Sequence, residues 1–283
     1  IKASKRVQNF MDIEIYERIL SDIGNFTRPL NVLRLYKDGE PLLHPEFVKM
    51  VALAKKLENI KRVETTTNGS KLTRDKIDQV LNAGIDRIVI SIEGVTENKY
   101  LQFAKVKIDF ALFVDNLTYL FNRRGKCKVH IKTVSQNLGE GEKDIFMNTF
   151  GPISDRIFIE NIVESWPGFE IDQKDNASLK ENAIGNKVDR KRICPYLFYT
   201  LSINSDGTVS PCCVDWNRKL IIGDIKHQTI QEIWLGEDLQ ALRQKHIKSG
   251  WKSVEQCSGC GQLDYCVSEN LDDSTESLAK FFC

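Results

Sequence analysis

The last third of the sequence is rich in cysteine, and a cysteine thiolate is the side chain best suited to hold zinc or an iron–sulfur cluster. Seven of the eight cysteines lie there, as Cys194, Cys212, Cys213, Cys257, Cys260, Cys266 and Cys283. Cys257 and Cys260 form a Cys-x2-Cys pair, whose sulfurs can reach one ion or one cluster from a tight turn. Cys194 and Cys212 each adjoin a proline, in turn-like positions. The spacing predicts that these four cysteines share one metal centre.

Two kinds of metal centre fit four cysteines at this spacing. Four thiolates satisfy a 4Fe-4S cluster completely, and a four-cysteine zinc ribbon has much the same pattern in one dimension. Adjacent strand residues point to opposite faces, so of Cys212 and Cys213 we expect only Cys212 to face the metal. Cys127 is predicted to be a small buried hydrophobe in a strand. Disulfides are typical of short, loop-rich secreted domains rather than of a chain with strong α/β periodicity.

The elements that must position these cysteines form two modules. In the first module, helical segments separate most of five strand-like segments, which are residues 32–36, 62–66, 87–92, 127–134 and 156–162. The helices start at capping residues or at a proline, namely Asp12, Pro45, Thr73 and Asp109. This alternation predicts an α/β domain with a parallel sheet, either a barrel or a doubly wound fold. The first helix has no strand before it, so we expect a first strand upstream of Ile1.

The second module follows a polar segment. Residues 165–191 are rich in Asn, Asp, Lys and Glu, which predicts a linker between a domain of residues 1–164 and a domain of residues 192–283. The second domain should begin with a β-hairpin closed at Gly207, because glycine adopts a positive φ easily. Its predicted elements are strands 198–203 and 208–213 and helices 230–235 and 239–247. The pattern therefore indicates a small α+β metal-binding domain.

The charge balance limits the partners of the chain. It has 40 Lys and Arg against 39 Asp and Glu, a formal net charge of +1. A broad basic surface for nucleic acid or for an anionic membrane is therefore not expected. The sequence has no apolar run of about 18 residues and no signal-peptide pattern. We expect a cytoplasmic protein that acts on a small-molecule substrate.

Several motifs together resemble one known family. They are Asp38-Gly39-Glu40-Pro41 after the first strand, Cys194-Pro195, the segment Gly207 to Cys212, and Cys257-x2-Cys260. In this order they resemble the radical S-adenosylmethionine (SAM) enzymes that carry a SPASM or shortened twitch domain. The resemblance implies a partial parallel (β/α)6 radical SAM barrel, whose first strand and cluster loop are absent from this chain. The cysteine spacing is especially similar to that of family members that dehydrogenate an aminocyclitol.

The resemblance also implies which residues bind cofactors. Asp38-Gly39-Glu40-Pro41 corresponds to the family's glycine-glycine-glutamate-proline motif, with Asp38 in place of the first glycine, and would hold the SAM amino group. Asn68, Ser91 and Glu93 lie at the ends of later strands, where the rest of SAM would be held. The auxiliary 4Fe-4S cluster would be bound by Cys194, Cys212, Cys257 and Cys260.

The family's Cys-x3-Cys-x2-Cys loop, which holds the SAM-cleaving cluster, does not occur in these 283 residues. The resemblance places it, with a second 4Fe-4S cluster, upstream of Ile1, and the chain would be inactive without it. The implied reaction is oxidation of a small carbohydrate or aminocyclitol by a 5′-deoxyadenosyl radical. The auxiliary cluster would be the electron acceptor, and a flavodoxin- or ferredoxin-like protein the electron donor. By position, Lys132 and Arg156 are the candidates for the base.

Two alternatives to this function stay open at the level of the sequence. A radical SAM enzyme that modifies a ribosomally made peptide would carry the same cysteine pattern. A non-catalytic zinc-binding module on an α/β scaffold would also fit, because zinc accepts four thiolates at this spacing.

Overall fold

The computed structural model describes residues 9–161, 163, 181–187, 190–266 and 269–282. It divides into two compact units. The sheet unit comprises residues 23–161, and the cysteine unit combines residues 9–22 with the described residues from 163 onward. Most of the predicted linker, 165–191, lies outside the described residues. None of the described helices is long and apolar enough to cross a membrane.

The sheet unit contains a five-stranded parallel sheet whose spatial order follows the sequence. Its strands are β1 (Leu33–Arg34), β2 (Val63–Thr67), β3 (Arg87–Ser91), β4 (Lys128–Val134) and β5 (Arg156–Glu160). The helices of residues 9–161 are α1 (Ile13–Gly24), α2 (Phe47–Lys55), α3 (Arg74–Asn82), α4 (Glu97–Phe103), α5 (Phe110–Arg123) and α6 (Glu142–Phe150). The predicted α/β class and the parallel sheet are confirmed.

Two of these helices, α4 and α6, were not predicted. Helix α4 begins after Thr96, whose hydroxyl accepts a hydrogen bond from Lys99 N at 3.3 Å. Helix α6 begins after Gly141, whose φ is 73°. Most side chains of both helices are exposed, so their sequences lack the apolar periodicity that identifies a helix packed on a core.

The two faces of the sheet differ in polarity. Aligned residues of parallel strands share a face, and the register pairs Ile88 with Val129 and Ile90 with Ile131. These four side chains are at most 1% exposed, so they belong to the core face. The opposite face carries mainly polar and charged side chains, in the series Glu64, Arg87, Ser91, His130 and Lys132. The sheet therefore has one face that forms the core and one face that can meet polar groups.

Glu64 lies near the amino-terminal edge of the polar face and is only 3% exposed. Its carboxylate accepts hydrogen bonds from Arg34 Nε at 2.8 Å, from Arg62 Nε at 3.0 Å and from Arg87 Nη2. Burial alone would raise the pKa of Glu64, but the hydrogen bonds and charges of Arg34 and Arg87 outweigh burial and lower the pKa. Glu64 is therefore charged at neutral pH, and its ion pairs connect β1, β2 and β3.

The cysteine unit contains a small antiparallel sheet and mostly short helices. Its strands are β6 (Ser202–Ile203), β7 (Thr208–Ser210) and β8 (Gly223–Asp224). Its further helices are α7 (Tyr196–Tyr199), α8 (Ile230–Leu235), α9 (Glu237–Ser249), α10 (Glu255–Ser258), α11 (Gln262–Tyr265) and α12 (Thr275–Phe282). The predicted hairpin is present as β6 and β7, and Gly207 has a φ of 91° in its turn. Both strands are shorter than predicted, and β7 ends at Ser210.

Residues of α1 are hydrogen-bonded to the cysteine unit. Arg18 Nη1 donates to Lys226 O at 3.0 Å, and Ile230 N donates to Asp22 Oδ2 at 2.8 Å. Ile230 is the first residue of α8, so Asp22 satisfies a backbone N–H at the positively polarised end of that helix. Residues up to Asp22 thus group with the C-terminal part of the chain, and the predicted domains of residues 1–164 and 192–283 stay a prediction.

Replacing Glu64 with glutamine should destabilise the sheet unit. The amide keeps the size of the side chain but removes the charge that three arginines share, and such a loss from a buried ion pair costs about 3 kcal/mol. Because the folded-state pKa of Glu64 is lowered, its contribution is present at neutral pH and is lost as the pH falls from the unfolded pKa through the folded one. Urea unfolding followed by circular dichroism measures the change.

The control for this variant is Asp115→Asn. Asp115 pairs with Arg74, but the two side chains are 53% and 59% exposed, and exposed pairs contribute only roughly 0–1 kcal/mol. An equal decrease in the free energy of unfolding of the two variants would contradict the role assigned to Glu64.

Candidate cofactor edge and metal centre

The predicted cofactor residues of the sheet unit lie at one edge of the sheet. The carboxyl ends of parallel strands meet at the same edge, which is where α/β folds bind ligands. Glu40 belongs to the loop after β1, Asn68 directly follows β2, Ser91 ends β3, and Glu93 lies two residues further on. Lys132, near the end of β4, is in register with Ser91. The structure therefore brings these five residues to one carboxyl edge.

Arg156 lies at the other end of the sheet. It is the first residue of β5 and is in register with His130. Its guanidinium carbon lies 5.1 Å from the centre of the Phe158 ring. Arg156 is therefore removed from the candidates for the base, because the amino-terminal edge is opposite to the edge that carries Glu40 and Asn68.

Glu40 connects the first loop to the end of β2. One of its carboxylate oxygens accepts hydrogen bonds from Leu42 N at 3.0 Å and from Thr67 Oγ1 at 2.6 Å, and the other accepts from Asn68 N at 2.8 Å. A carboxylate has about four acceptor sites, so these three bonds leave capacity for a further donor such as an amine. The sequence motif identified Glu40 but not Thr67, because one threonine in a run of three carries no signal of its own.

The loop before Glu40 presents exposed backbone. Asp38 and Gly39 are exposed, and Gly39 has a φ of 84°, in the left-handed region that favours glycine. Apart from its two chain neighbours, no other described residue has a heavy atom within 4 Å of the position that a Cβ of Gly39 would occupy. Pro41 begins a short 3-10 helix, Pro41–Leu43, that is capped by Glu40. The loop is thus fixed at Glu40, and there is open space beside Gly39.

Glu93 and Lys132 belong to a second set of hydrogen-bonded side chains at the carboxyl edge. Asn137 Nδ2 donates to Glu93 Oε2 at 3.3 Å, and Lys132 Nζ donates to Glu160 Oε2 at 2.7 Å. Burial raises the pKa of Glu93, and the Asn137 hydrogen bond and the Lys132 charge oppose this effect without cancelling it. In the Lys132–Glu160 pair the ammonium donates the hydrogen bond and the carboxylate accepts it. Sequence reasoning missed Asn137 and Glu160 because only the folded structure identifies their partners.

The four predicted metal-binding cysteines lie together in the cysteine unit. Three of them pack against the buried side chains of Trp251 and Leu263, and these are Cys194, Cys257 and Cys260. The sulfur of Cys194 is close enough to those of Cys257 and Cys260 to be influenced by their charges, and Cys212 is influenced in the same way by Cys194. The structure therefore brings the predicted set together, while the role of these residues as ligands stays a prediction.

Backbone N–H groups donate to three of these sulfurs. Cys194 accepts from Tyr196, Cys212 from Val214 and Asp215, and Cys260 from Gln262 and Leu263. A thiolate gains more from such a bond than a neutral thiol does, because its sulfur is charged. Hydrogen bonds to the sulfurs are also one of the means by which proteins adjust an iron–sulfur cluster. The donor set therefore fits sulfurs that are bound to a metal or a cluster.

Burial raises the pKa of all four thiols, and repulsion between neighbouring sulfurs adds to the effect. The pKa rises to about 12 for Cys194 and Cys257, and it is also raised for Cys212 and Cys260. These groups are therefore protonated at neutral pH until a bound cation displaces their protons. Among the described residues, no three Cys, His, Asp or Glu side chains converge on the position of a single metal ion.

The other cysteines have different surroundings. Cys213 is exposed, whereas Cys212 is only partly exposed. Both follow the end of β7, so the alternation of a strand does not apply to them, and the expectation that only Cys212 faces the metal stays a prediction. Cys127 is 4% exposed in the sheet unit, which agrees with the predicted buried residue. Cys283 lies outside the described residues.

Family models match both parts of the chain. Residues 3–164 match the radical SAM superfamily, and residues 194–261 match SPASM, an iron–sulfur cluster-binding domain. The first match contains every residue of the carboxyl edge. The second begins at Cys194 and also contains Cys212, Cys257 and Cys260.

Curated relatives match over different lengths. GTP 3',8-cyclase of Mannheimia succiniciproducens is 28% identical over 277 residues, covering 85% of this chain and 80% of that protein. The same enzyme of Chlorobaculum tepidum is 34% identical over 70 residues, 25% of this chain and 21% of that protein. S-adenosyl-L-methionine-dependent 2-deoxy-scyllo-inosamine dehydrogenase of Niallia circulans is 31% identical over 67 residues, 23% of this chain and 26% of that protein. This chain therefore spans only about a quarter of the last two proteins.

Solved structures share the fold of the chain. The crystal structure of BtrN in complex with AdoMet and 2-DOIA has a TM-score of 0.59 at 19% identity, over 95% of this chain and 87% of that chain. The structure of anSMEcpe with bound AdoMet has a TM-score of 0.63 at 15% identity, over 99% of this chain and 90% of that chain. At such identities the likeness establishes the fold.

Replacing Thr67 with valine should weaken the carboxyl edge. Valine has the shape of threonine, but it removes the hydrogen bond to Glu40 and leaves Gly69 N without its acceptor. A hydrogen bond to a charged group contributes about 1.5–3 kcal/mol, against about 1 kcal/mol for a neutral pair. The free energy of unfolding, measured by urea titration, should fall by an amount near the charged value.

Thr65→Val is the matched control for this variant. Thr65 lies on the same strand, is 1% exposed and donates to the neutral Leu35 O at 3.0 Å. If valine lowers the free energy of unfolding by the same amount at both positions, the hydrogen bond to Glu40 contributes no more to stability than the bond to a neutral carbonyl.

Proposed function

Because the chain belongs to the radical SAM superfamily and contains a SPASM iron–sulfur cluster-binding domain, we propose that it is an oxidoreductase that acts on a small carbohydrate or aminocyclitol. The observation that carries the proposal is that Cys194, Cys257 and Cys260 pack against Trp251 and Leu263, with Cys212 close enough to Cys194 to feel its charge. Four thiolates occupy all four irons of a 4Fe-4S cluster, so substrate has no open iron to bind. Such a centre is suited to accept an electron.

In this proposal the four cysteines have one shared role. Cys194, Cys212, Cys257 and Cys260 each bind one iron of the auxiliary cluster. Backbone N–H groups donate to three of the sulfurs and would stabilise them as thiolates. The packing of Trp251 and Leu263 against Cys194, Cys257 and Cys260 would keep water away from the centre.

The carboxyl edge of the sheet unit would bind SAM. The Glu40 carboxylate has capacity for an ammonium group beyond its three internal bonds, and the backbone of Asp38, Gly39 and Pro41 lies beside it. Asn68 Oδ1 already accepts from Ser70 N at 2.9 Å, which leaves its Nδ2 as the donor for a ligand. Ser91 and Glu93 would hold the ribose hydroxyls.

SAM and the clusters of this family, when bound, supply a radical that removes a hydrogen atom from substrate and a centre that accepts one electron. The chain must then take the proton of the substrate hydroxyl. Glu160 is the carboxylate for this step, and Lys132, bonded to it at 2.7 Å, holds it in position. The proposal includes a second cluster on residues upstream of Ile1, a flavodoxin- or ferredoxin-like electron donor and a cytoplasmic location, where thiols stay reduced.

A peptide substrate is the second candidate, and the solved structures support it. The match to anSMEcpe extends to a complex of that protein with AdoMet and the Kp18Cys peptide, at a TM-score of 0.63 over 98% of this chain. A further match is SuiB of Streptococcus suis bound to the precursor peptide SuiA, at a TM-score of 0.61 over 97% of this chain. The aminocyclitol candidate is supported by the name of the Niallia circulans relative and by the ligand of BtrN.

Replacing Cys260 with alanine should remove the auxiliary cluster, because one of its four irons loses its ligand. Iron and acid-labile sulfide are measured after anaerobic purification and reconstitution, and the variant should lose about four of each per chain. Cys127→Ala is the control, since Cys127 is buried in the sheet unit and should not change the iron content.

Either of two results would contradict the assignment of these cysteines as cluster ligands. One is a full iron content in the Cys260→Ala protein, and the other is stoichiometric zinc without sulfide in the unaltered protein. The second result would favour the non-catalytic zinc module.

Substrate class can be decided by a comparison of three candidate compounds. The full-length protein, reduced by dithionite or by flavodoxin, is incubated with SAM and with an aminocyclitol, a cysteine-containing peptide or GTP, and 5′-deoxyadenosine and product mass are measured. We expect substrate-dependent 5′-deoxyadenosine with the aminocyclitol and a product lighter by two hydrogens. Turnover of only the peptide or only GTP would overturn the proposed substrate class, and Glu160→Gln should lower kcat at least tenfold with any true substrate.

A further inference from the structure

The polar face of the sheet carries an excess of positive charge near its amino-terminal edge. The Glu64 carboxylate accepts hydrogen bonds from three arginines, which are Arg34, Arg62 and Arg87. Arg156, the first residue of β5, adds a fourth guanidinium, and no Asp or Glu of the described residues pairs with it. Even without Arg34, three positive charges face one carboxylate. The excess at this end of the face is therefore two charges.

Two of these arginines lie on the strands that flank His130. β4 lies between β3 and β5, and neighbouring strands are about 4.8 Å apart, so about 10 Å separates the backbones that carry Arg87 and Arg156. His130 is in register with Arg156. Burial and the charges of both arginines lower the pKa of His130, and the charges of Asp155 and Glu64 oppose this effect without cancelling it. Both guanidinium groups are therefore close enough to act on one group placed over His130.

Arg87 and Arg156 have donors that the protein itself does not use. The Nη2 of Arg87 donates to Glu64, but its buried Nε has no hydrogen-bond partner among the described residues. Leaving a buried donor of a charged group unsatisfied is costly. Arg156 is exposed, and its guanidinium carbon lies 5.1 Å from the centre of the Phe158 ring. The two side chains thus offer N–H groups to a ligand.

The other carboxylates on this side of the sheet already have cationic partners. Asp155 is paired with Arg124 Nε at 3.2 Å and with Lys128 Nζ at 3.6 Å. Glu160, at the carboxyl end of β5, is paired with Lys132 Nζ at 2.7 Å. These carboxylates therefore do not remove the positive excess around His130.

We propose that Arg87 and Arg156 bind a phosphate group over His130, and that this phosphate belongs to the substrate. The inference rests on the proposed function, because it takes the ligand to be the carbohydrate that is oxidised. The fork of a guanidinium matches the oxygens of a phosphate, which it can bind through two parallel hydrogen bonds. A phosphate ester has a charge of about −1.5 to −2 at neutral pH, so it matches an excess of two better than a single carboxylate does.

The length of the polar face fits a phosphorylated substrate. Arg156 and Glu160 begin and end β5 on the same face, four residues or about 13 Å apart. Glu160 is the carboxylate proposed to take the proton of the substrate hydroxyl. A bare sugar ring beside Glu160 is too short to reach the amino-terminal end of the strand. A ring that carries a phosphate is longer and can approach the side chain of Arg156.

Binding is tested with the full-length protein and three probes, which are inorganic phosphate, glucose 6-phosphate and glucose. Isothermal titration calorimetry at low ionic strength should detect binding of the two phosphates and not of glucose. Arg156→Gln removes a guanidinium that takes no part in the ion pairs of Glu64, and it should weaken phosphate binding about tenfold or more. Lys245→Gln is the control, because it removes the same charge from an exposed site on α9 of the other unit.

The pKa of His130 reports where the phosphate binds. An anion held between Arg87 and Arg156 favours the protonated imidazole, so the pKa of His130 should rise when phosphate is added. The pKa is measured by proton NMR of the imidazole signals as a function of pH. The chain has four histidines, and the signal that is lost in His130→Asn identifies the residue.

The opposite results would overturn the inference. If the pKa of His130 does not change at saturating phosphate, or if Arg156→Gln binds phosphate as tightly as the unaltered protein, the arginines only stabilise the sheet. A rise in the pKa with succinate but not with phosphate would also overturn it. Should Arg156→Gln not fold, the His130 titration of the unaltered protein decides alone. Neither measurement needs a cluster or turnover, so a protein that binds phosphate here but forms no 5′-deoxyadenosine refutes the proposed function and not the phosphate site.

Discussion

The desolvation of four cysteine sulfurs is the constraint on which the cysteine unit depends. Burial raises the pKa of all four thiols, three of which pack against Trp251 and Leu263, so the unit favours them as thiols until a cation arrives. Thiolates become stable there only with a positively charged centre and with N–H donors to the sulfurs. The short helices and turns of the unit supply the donors.

In the sheet unit, by contrast, buried carboxylates are stabilised by arginines or by hydrogen-bond donors of the chain itself. Glu64 is buried among three arginines at one end of the polar face, and Glu40 is bonded by the chain's own donors at the other. The first group links three strands, and the second fixes the loop that would meet SAM. Between these ends, the polar side chains of this face are only partly buried. They could therefore form hydrogen bonds to a ligand without any change in the apolar core.

Much of the fold could be predicted from the sequence, because apolar periodicity and glycine turns are local signals. The five strands and the hairpin at Gly207 follow from them, and the four cysteines could be grouped by spacing. The position of Cys213 could not be predicted, since it depends on where β7 ends. The location of Arg156 at the wrong edge, and the partners Thr67 and Glu160, depend on strand register. The burial of Arg243 on α9 carried no signal, because an arginine in a polar helix usually faces water.

The hydrogen bonds of α1 have a consequence for how the chain folds. The bonds from Arg18 to Lys226 and from Ile230 to Asp22 each join residues 208 positions apart, while residues 23–161 form a unit of continuous sequence. Closing so long a loop carries a large entropic cost, and contacts of high sequence separation form late. During synthesis the sheet unit can therefore fold as soon as it leaves the ribosome. The bonds of Arg18 and Asp22 can form only later, once the segment that contains residues 226 and 230 has been made.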